Sequence, residues 1–335
     1  MAGRPVCVYM LEKKPEIVVA VDGCGGDRGS KHIVNAVNFA LTLYPYMRLI
    51  ICGPVSLQEE LNHGRIDGKR VEFRLSGQAI PQDAPVNEVL ERYQKSSMRL
   101  ALQAVQSGEA QAMVSAGGTG PLVVLARHLL GEIGHLRPAL VARIPAGPGR
   151  HALMLDLGAN AQSTAQDLAD FARLGDAAAR LMLGLESPRL ALLNVGTEEQ
   201  KGSHVVLEAK SLLDNARELN FCGFIEADRI FRGDADVVVA DGFAGNIALK
   251  AAEGVYTIFS KVPGIKRVFA RLAHPDWLMP WQYNGSVLLG VNGNVIKSHA
   301  NAGDDAFAVA MVEAAKAAEL DLANGMRDIL THAGA

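Results

Sequence analysis

Short runs that are apolar at nearly every position recur along this chain, and longer stretches with helical periodicity lie between them. The runs are Ile17–Val21, Arg48–Cys52, Val71–Leu75, Ala112–Ser115, Ala139–Arg143, Ala152–Asp156, Arg189–Asn194 and Asp236–Ala240. A strand that is apolar on both faces belongs inside a sheet covered on both sides, which is how parallel sheets are built. Asn87–Gln106, Thr164–Leu183 and Asp304–Leu330 have the amphipathic spacing of covering helices. The alternation predicts βαβ units and an α/β fold. No internal repeat, low-complexity tract or long Pro/Gly linker divides the chain. The expectation is one α/β domain over 17–330, or two lobes sharing one sheet, after an N-terminal extension of 1–16.

With 49% hydrophobic and 21% charged residues among 335, a packed core is expected rather than disorder. A net charge of −3 gives no general attraction to nucleic acid, and an acidic partner would need a local basic patch. Cys7, Cys24, Cys52 and Cys222 form no C-x-x-C pair and read as reduced thiols. No apolar run approaches the roughly 20 residues of a membrane span. Met1–Lys14 lacks the uninterrupted apolar core of a signal peptide. The expected location is cytoplasmic.

Five runs end in small, glycine-rich polar loops: Asp22–Asp27, Ser115–Gly120, Asp156–Asn160, Asn194–Gly202 and Asp241–Asn246. In an open α/β sheet, ligands bind beyond the carboxyl ends of the strands, so five such loops are expected to crowd one rim. A following helix would aim free N–H groups at an anion there. Any one loop alone reads as a tight turn that needs glycine, and it is five in one chain that point to a site. None matches the nucleotide P-loop or a complete dinucleotide fingerprint.

In this order, these segments resemble those of the phosphate acyltransferase family of bacterial phospholipid synthesis. The matching segments also include Ser96-Ser-Met98, Arg137-Pro-Ala139, Leu192–Gly202, Asp241–Lys250 with Glu253-Gly254, and Tyr283-Asn-Gly285 through Leu288-Leu-Gly290 to Ile296–His299. The resemblance runs from about Ile17 to Phe307. It implies a Rossmann-like α/β/α sandwich with a mostly parallel sheet, related to phosphotransacetylase and isocitrate dehydrogenase folds. It further implies a homodimer that takes acyl chains from acyl carrier protein, delivers them to inorganic phosphate, and needs no cofactor. The product would pass to a downstream glycerol-3-phosphate acyltransferase. Four features depart from the family pattern. Gly118 stands where asparagine is usual, Ala161-Gln162 follows Asn160, His299 precedes Ala300, and the segment from Gly254 to Tyr283 is short.

Attack of phosphate on a thioester needs two partners held in line and a stabilised oxyanion, with no serine or cysteine nucleophile. Lys201, between Gly196 and Gly202, is the first candidate to neutralise that charge, against the alternative of a solvated loop lysine. Asn246 is expected at the N-cap of a helix starting at Ile247, and the resemblance makes it a donor to the carbonyl oxygen. His299 is a candidate to protonate the leaving thiolate. Ser115, Gly117, Gly118, Thr119 and Gly120 are expected to cradle phosphate. Gly25, Gly26, Asn160, Asn194, Gly196 and Gly242 complete the expected substrate-binding set. Asp22, Asp27 and Asp241 would repel phosphate directly and so are expected to orient loop amides or a lysine. The dispersed histidines and hard oxygen ligands give no metal site.

The segment 256–283 is basic and amphipathic. Ile265, Val268, Phe269 and Leu272 recur at helical spacing, with Lys261, Lys266, Arg267 and Arg271 on other faces and Trp277 and Trp281 following. It reads either as a peripheral membrane or carrier-protein contact or as packing on a dimer partner. Three other functions stay open: an acyltransferase using coenzyme A thioesters or another nucleophile, a nicotinamide-dependent decarboxylating dehydrogenase, and a non-catalytic scaffold.

Overall fold

The structure is a computed structural model that describes residues 16–64, 66–260 and 283–332. Eleven strands among them form one sheet. They are β1 (Ile17–Asp22), β2 (Met47–Gly53), β3 (Val71–Leu75), β4 (Ala112–Ser115), β5 (Ala139–Pro145), β6 (His151–Leu155), β7 (Arg189–Leu193), β8 (Asn220–Ile225), β9 (Val237–Val239), β10 (Ser286–Leu289) and β11 (Asn294–Lys297). Their order in space is β3-β2-β1-β4-β11-β10-β5-β6-β9-β7-β8.

The helices are α1 (Ser30–Leu43), α2 (Val55–His63), α3 (Val86–Arg92), α4 (Ser97–Gln106), α5 (Thr119–Leu130), α6 (Ala165–Leu183), α7 (His204–Asp214), α8 (Gly242–Ser260), α9 (Asp304–Glu319) and α10 (Leu322–His332). They cover both faces of the sheet. Val19, Val21, Ile51, Val114, Leu155 and Val237 point to one core with residues of α1, α6 and α9. Ala20, Ile50, Met113, Met154 and Val238 point to the other, with α4 and α5. This double burial is why the strands are apolar at successive positions.

All eight sequence-predicted strands are present, within a residue or two at their ends. The sequence reading did not mark β8, β10 and β11 as strands. It also joined two helix pairs into single stretches. The first pair breaks at Tyr93–Ser96, where Ser96 caps α4 by accepting from Arg99 N. The second breaks at Asp321, whose φ is 47°.

Most pairings are parallel, but β11–β10, β10–β5 and β5–β6 are antiparallel. The block β3-β2-β1-β4-β11 therefore runs opposite to the block β6-β9-β7-β8. The expectation of five loops on one rim is thus corrected. The loops after β1 and β4 lie at one edge of the sheet, and those after β6, β7 and β9 lie at the other.

Candidate active site

At the first edge, the buried carboxylate of Asp22 ties three segments together. Its Oδ1 accepts from Ser97 Oγ at 2.5 Å and from Cys24 N at 3.2 Å. Its Oδ2 accepts from Ser115 Oγ at 2.6 Å, and that oxygen accepts from Gly117 N at 2.9 Å. Burial pushes the Asp22 carboxyl above its ordinary range, while these hydrogen bonds pull it back. Asp22 thus holds the Cys24 amide and the Ser97 and Ser115 hydroxyls, whereas Asp27 is exposed and its N–H donates to Ala300 O at 3.0 Å. Gly25 lies against the same loop, since a Cβ there would stand 2.7 Å from Gly117 N. One on Gly26 would stand 2.9 Å from Ala300 O.

Thr119 and Gly120 open α5, and Gly118 occupies its N-cap position without a side-chain cap. A Cβ on Gly118 would lie 2.5 Å from Gln82 O, so the Gln82 backbone leaves no space for a side chain there.

At the second edge, Asp156 follows β6 and plays a similar part. Its oxygens accept from Leu140 N at 2.8 Å, Ala159 N at 3.1 Å, Asn160 N at 2.8 Å and Asn160 Nδ2 at 3.0 Å. Asn160 Nδ2 also donates to Pro138 O at 2.8 Å. Asp241 Oδ1 accepts from Phe243 N at 3.0 Å and Ala244 N at 2.9 Å. That caps α8, which begins at Gly242. Asn246 is therefore in the second turn of this helix, and its expected N-cap position at a helix starting from Ile247 is corrected. Two glycines draw the helix onto the β6 loop: a Cβ on Gly242 would stand 2.2 Å from Asn160 O, and one on Gly245 would stand 2.1 Å from Asp156 O. Asn246 is half-buried beside Gly158, where a Cβ would lie 3.5 Å from Asn246 Nδ2. Its amide makes no hydrogen bond among the described residues.

The loop after β7 adjoins at this edge and is closed by Asn194. Asn194 Nδ2 donates to Gly196 O at 3.1 Å and Lys201 O at 2.7 Å. Gly202 has a φ of 115°, a conformation that side chains rarely adopt. The Lys201 stem folds back over Gly196, and its Nζ lies 2.6 Å from Glu198 Oε1. Glu198 raises the Lys201 pKa. The lysine side chain is 52% exposed.

Helix α8 joins the two edges. It starts at the second and reaches the first at Glu253, where His299 Nε2 lies 3.3 Å from Glu253 Oε1. Burial would raise Glu253, but the bond from His299 and its charge outweigh this and lower it. Glu253 is seven residues beyond Asn246, about 10 Å along the helix axis. His299 therefore stands about two turns from Asn246, and the three candidate catalytic residues do not meet at one point. Lys297 was missed by the sequence reading. It ends β11 beside Ser115 in the register, with its ammonium on Ser298 O. Burial and the charge of Lys250 push it down to about 8, against the pull of Asp22 and Asp27. Its signal was a lone lysine closing the apolar run Val295-Ile296.

Lys261, Lys266, Arg267, Arg271, Trp277 and Trp281 lie outside the described residues. Among the described residues, no group of three or more His, Cys, Asp or Glu could hold a metal ion. No helix among them is long and apolar enough to cross a membrane.

The sheet and the helices that cover it define an α/β protein of the phosphotransacetylase fold. The chain is similar to the EutD phosphotransacetylase from Staphylococcus aureus, with a TM-score of 0.60 and 19% identity, covering 91% of this chain and 96% of that one. A phosphotransacetylase from Streptococcus pyogenes gives a TM-score of 0.61 at 19% identity, over 90% and 94% of the two chains. Residues 17–324 match the family described as fatty acid synthesis protein. The phosphate acyltransferase of Stutzerimonas stutzeri is 43% identical over 329 residues, 93% of this chain and 92% of its own. That of Aeromonas salmonicida is 43% identical over 318 residues, 91% and 94% of the two. The chain belongs to this family of acyltransferases, the phosphate acyltransferases.

Proposed function

We propose that this protein transfers a fatty acyl group from acyl carrier protein to inorganic phosphate, releasing an acyl phosphate and a free pantetheine thiol. The phosphate oxygen forms a bond to the thioester carbon, the C–S bond breaks, and the proton of hydrogen phosphate ends on the thiolate. A nucleophile that is already anionic needs positioning and charge neutralisation more than activation.

The observation that carries this reading is the Asn246 amide, which is half-buried at a glycine-lined edge and makes no hydrogen bond among the described residues. It is a neutral donor suited to a developing oxyanion. Lys201, at the same edge, supplies a cation that phosphate could draw from Glu198. His299 pairs with Glu253 about two turns along α8 from Asn246, so in this reading the thiolate takes its proton from hydrogen phosphate rather than from His299. The carrier protein, a homodimeric assembly, a peripheral membrane contact through 256–283, and transfer of the product to a glycerol-3-phosphate acyltransferase belong to the same reading, as does a cytoplasmic location.

The test is thiol release from palmitoyl carrier protein with and without phosphate, with hydroxylamine trapping of the product. Release that requires phosphate and yields hydroxamate supports the reading. Equal release without phosphate, or reaction with palmitoyl coenzyme A alone, overturns it.

A further inference from the structure

A cavity of about 400 Å³ lies between α8 and the end of β5. Ile144, Pro145, Phe231, Leu249, Ala252 and Tyr256 form its largely apolar wall, and Glu253 and His299 stand at its side. Burying apolar ligand surface against such a wall is favourable by about 25 cal/mol per Å². Arg143, Tyr283 and Ser286 also line it, but most of its exposed surface is apolar, which suits an alkyl chain better than a pantetheine arm with two amides to satisfy.

Asn246, Leu249, Glu253 and Tyr256 are spaced by three, four and three residues, so they fall on one stripe of α8. That stripe leads from the free amide of Asn246 into the cavity, over about 15 Å of helix. A group held by its carbonyl at Asn246 would run along α8 past Leu249. Ala252 contributes only a methyl to the wall where larger residues flank it.

We propose that this cavity holds the alkyl tail of the acyl donor, and that Leu249 and Ala252 set the length of chain it accepts. The inference rests on the acyl-transfer reading for its turnover test, but not for its binding test.

Ala252→Phe would fill part of the cavity. The ratio of kcat/KM for palmitoyl over butyryl carrier protein should then fall by about tenfold or more, the size of effect that one or two methylenes produce in an apolar pocket. Leu249→Ala, which enlarges the cavity, should move the ratio the other way. Displacement of a fluorescent fatty acid, measured without phosphate or carrier protein, should weaken in Ala252→Phe, and thermal melts would show whether each variant is folded. Ala252→Leu supplies a smaller intrusion if the phenylalanine variant melts early. A palmitoyl-to-butyryl ratio within about twofold of wild type in both filling variants overturns the inference while leaving acyl transfer intact. Fatty acid binding that weakens in the variants of a protein without acyl transfer would sink the proposed function and keep the cavity assignment.

Discussion

Lys201 and Asn246 offer their polar groups differently: the amide is free among the described residues, and the ammonium rests on Glu198. An exposed pair of that kind adds little stability, typically below about 1 kcal/mol. Lys201→Ala should therefore leave the melting temperature unchanged and lower kcat/KM by two to three orders of magnitude, about the loss for one oxyanion donor. Lys201→Arg should recover only part of it, because a planar fork does not replace a point charge in a loop closed over Gly196. A Lys201→Ala enzyme retaining more than about half its kcat/KM would remove the lysine from the site.

Lys297 carries a pH signature. Between about 8 and its ordinary 10.5, the unfolded chain holds a proton that the folded chain does not. Stability therefore rises with pH across that window, and the penalty is fully present below it. Lys297→Met should flatten this rise and gain up to about 3 kcal/mol at neutral pH. Denaturant melts of both proteins at several pH values would show it, and parallel slopes would refute it.

At the scale of the elements, α8 gives an unusual sign to a common substitution. Glycine to alanine inside a helix normally stabilises by about 1 kcal/mol. At Gly245 the new methyl would meet Asp156 O at 2.1 Å. Gly245→Ala should instead destabilise by about 1–3 kcal/mol, as overpacking does, and should displace Asn246 and reduce activity. Unchanged or improved stability in a thermal melt would contradict the packing described for the second edge.

The same scale shows what was legible in advance. Strands buried on both faces announced themselves through unbroken apolar runs. β10 lies between Gly285 and Gly290 and β11 has only Val295 and Ile296 as apolar residues, so neither stood out from turn sequence, and β8 is an edge strand interrupted by Gly223. The break at Asp321 has no glycine or proline to mark it. The candidate residues were legible as motifs, but their grouping was not. A β-run reads the same for either strand direction, so the two opposed blocks, and with them the split of five loops into two clusters, were invisible. The pairing of Glu253 with His299 depends on the course of α8 across the sheet, which no local spacing encodes.

For the whole molecule, the acyl-transfer reading predicts a homodimer active without added metal. Light scattering at twice the 35.6 kDa chain mass and full activity in chelator are the expected results. A monomer, or activity lost in chelator and restored by magnesium, would count against it. The reversal of strand direction has a further consequence. The chain leaves the first block through β5 and β6, builds β6 to β9 as a continuous stretch, and comes back after α8 to complete the first block with β11. The second block is thus an insertion with a single outgoing and a single returning connection. The helix bearing Asn246 leads into the return. New chain ends opened at the Gly147–Gly149 tip would cut only the outgoing connection, leaving both loop clusters and their joining helix uninterrupted in a circularly permuted chain.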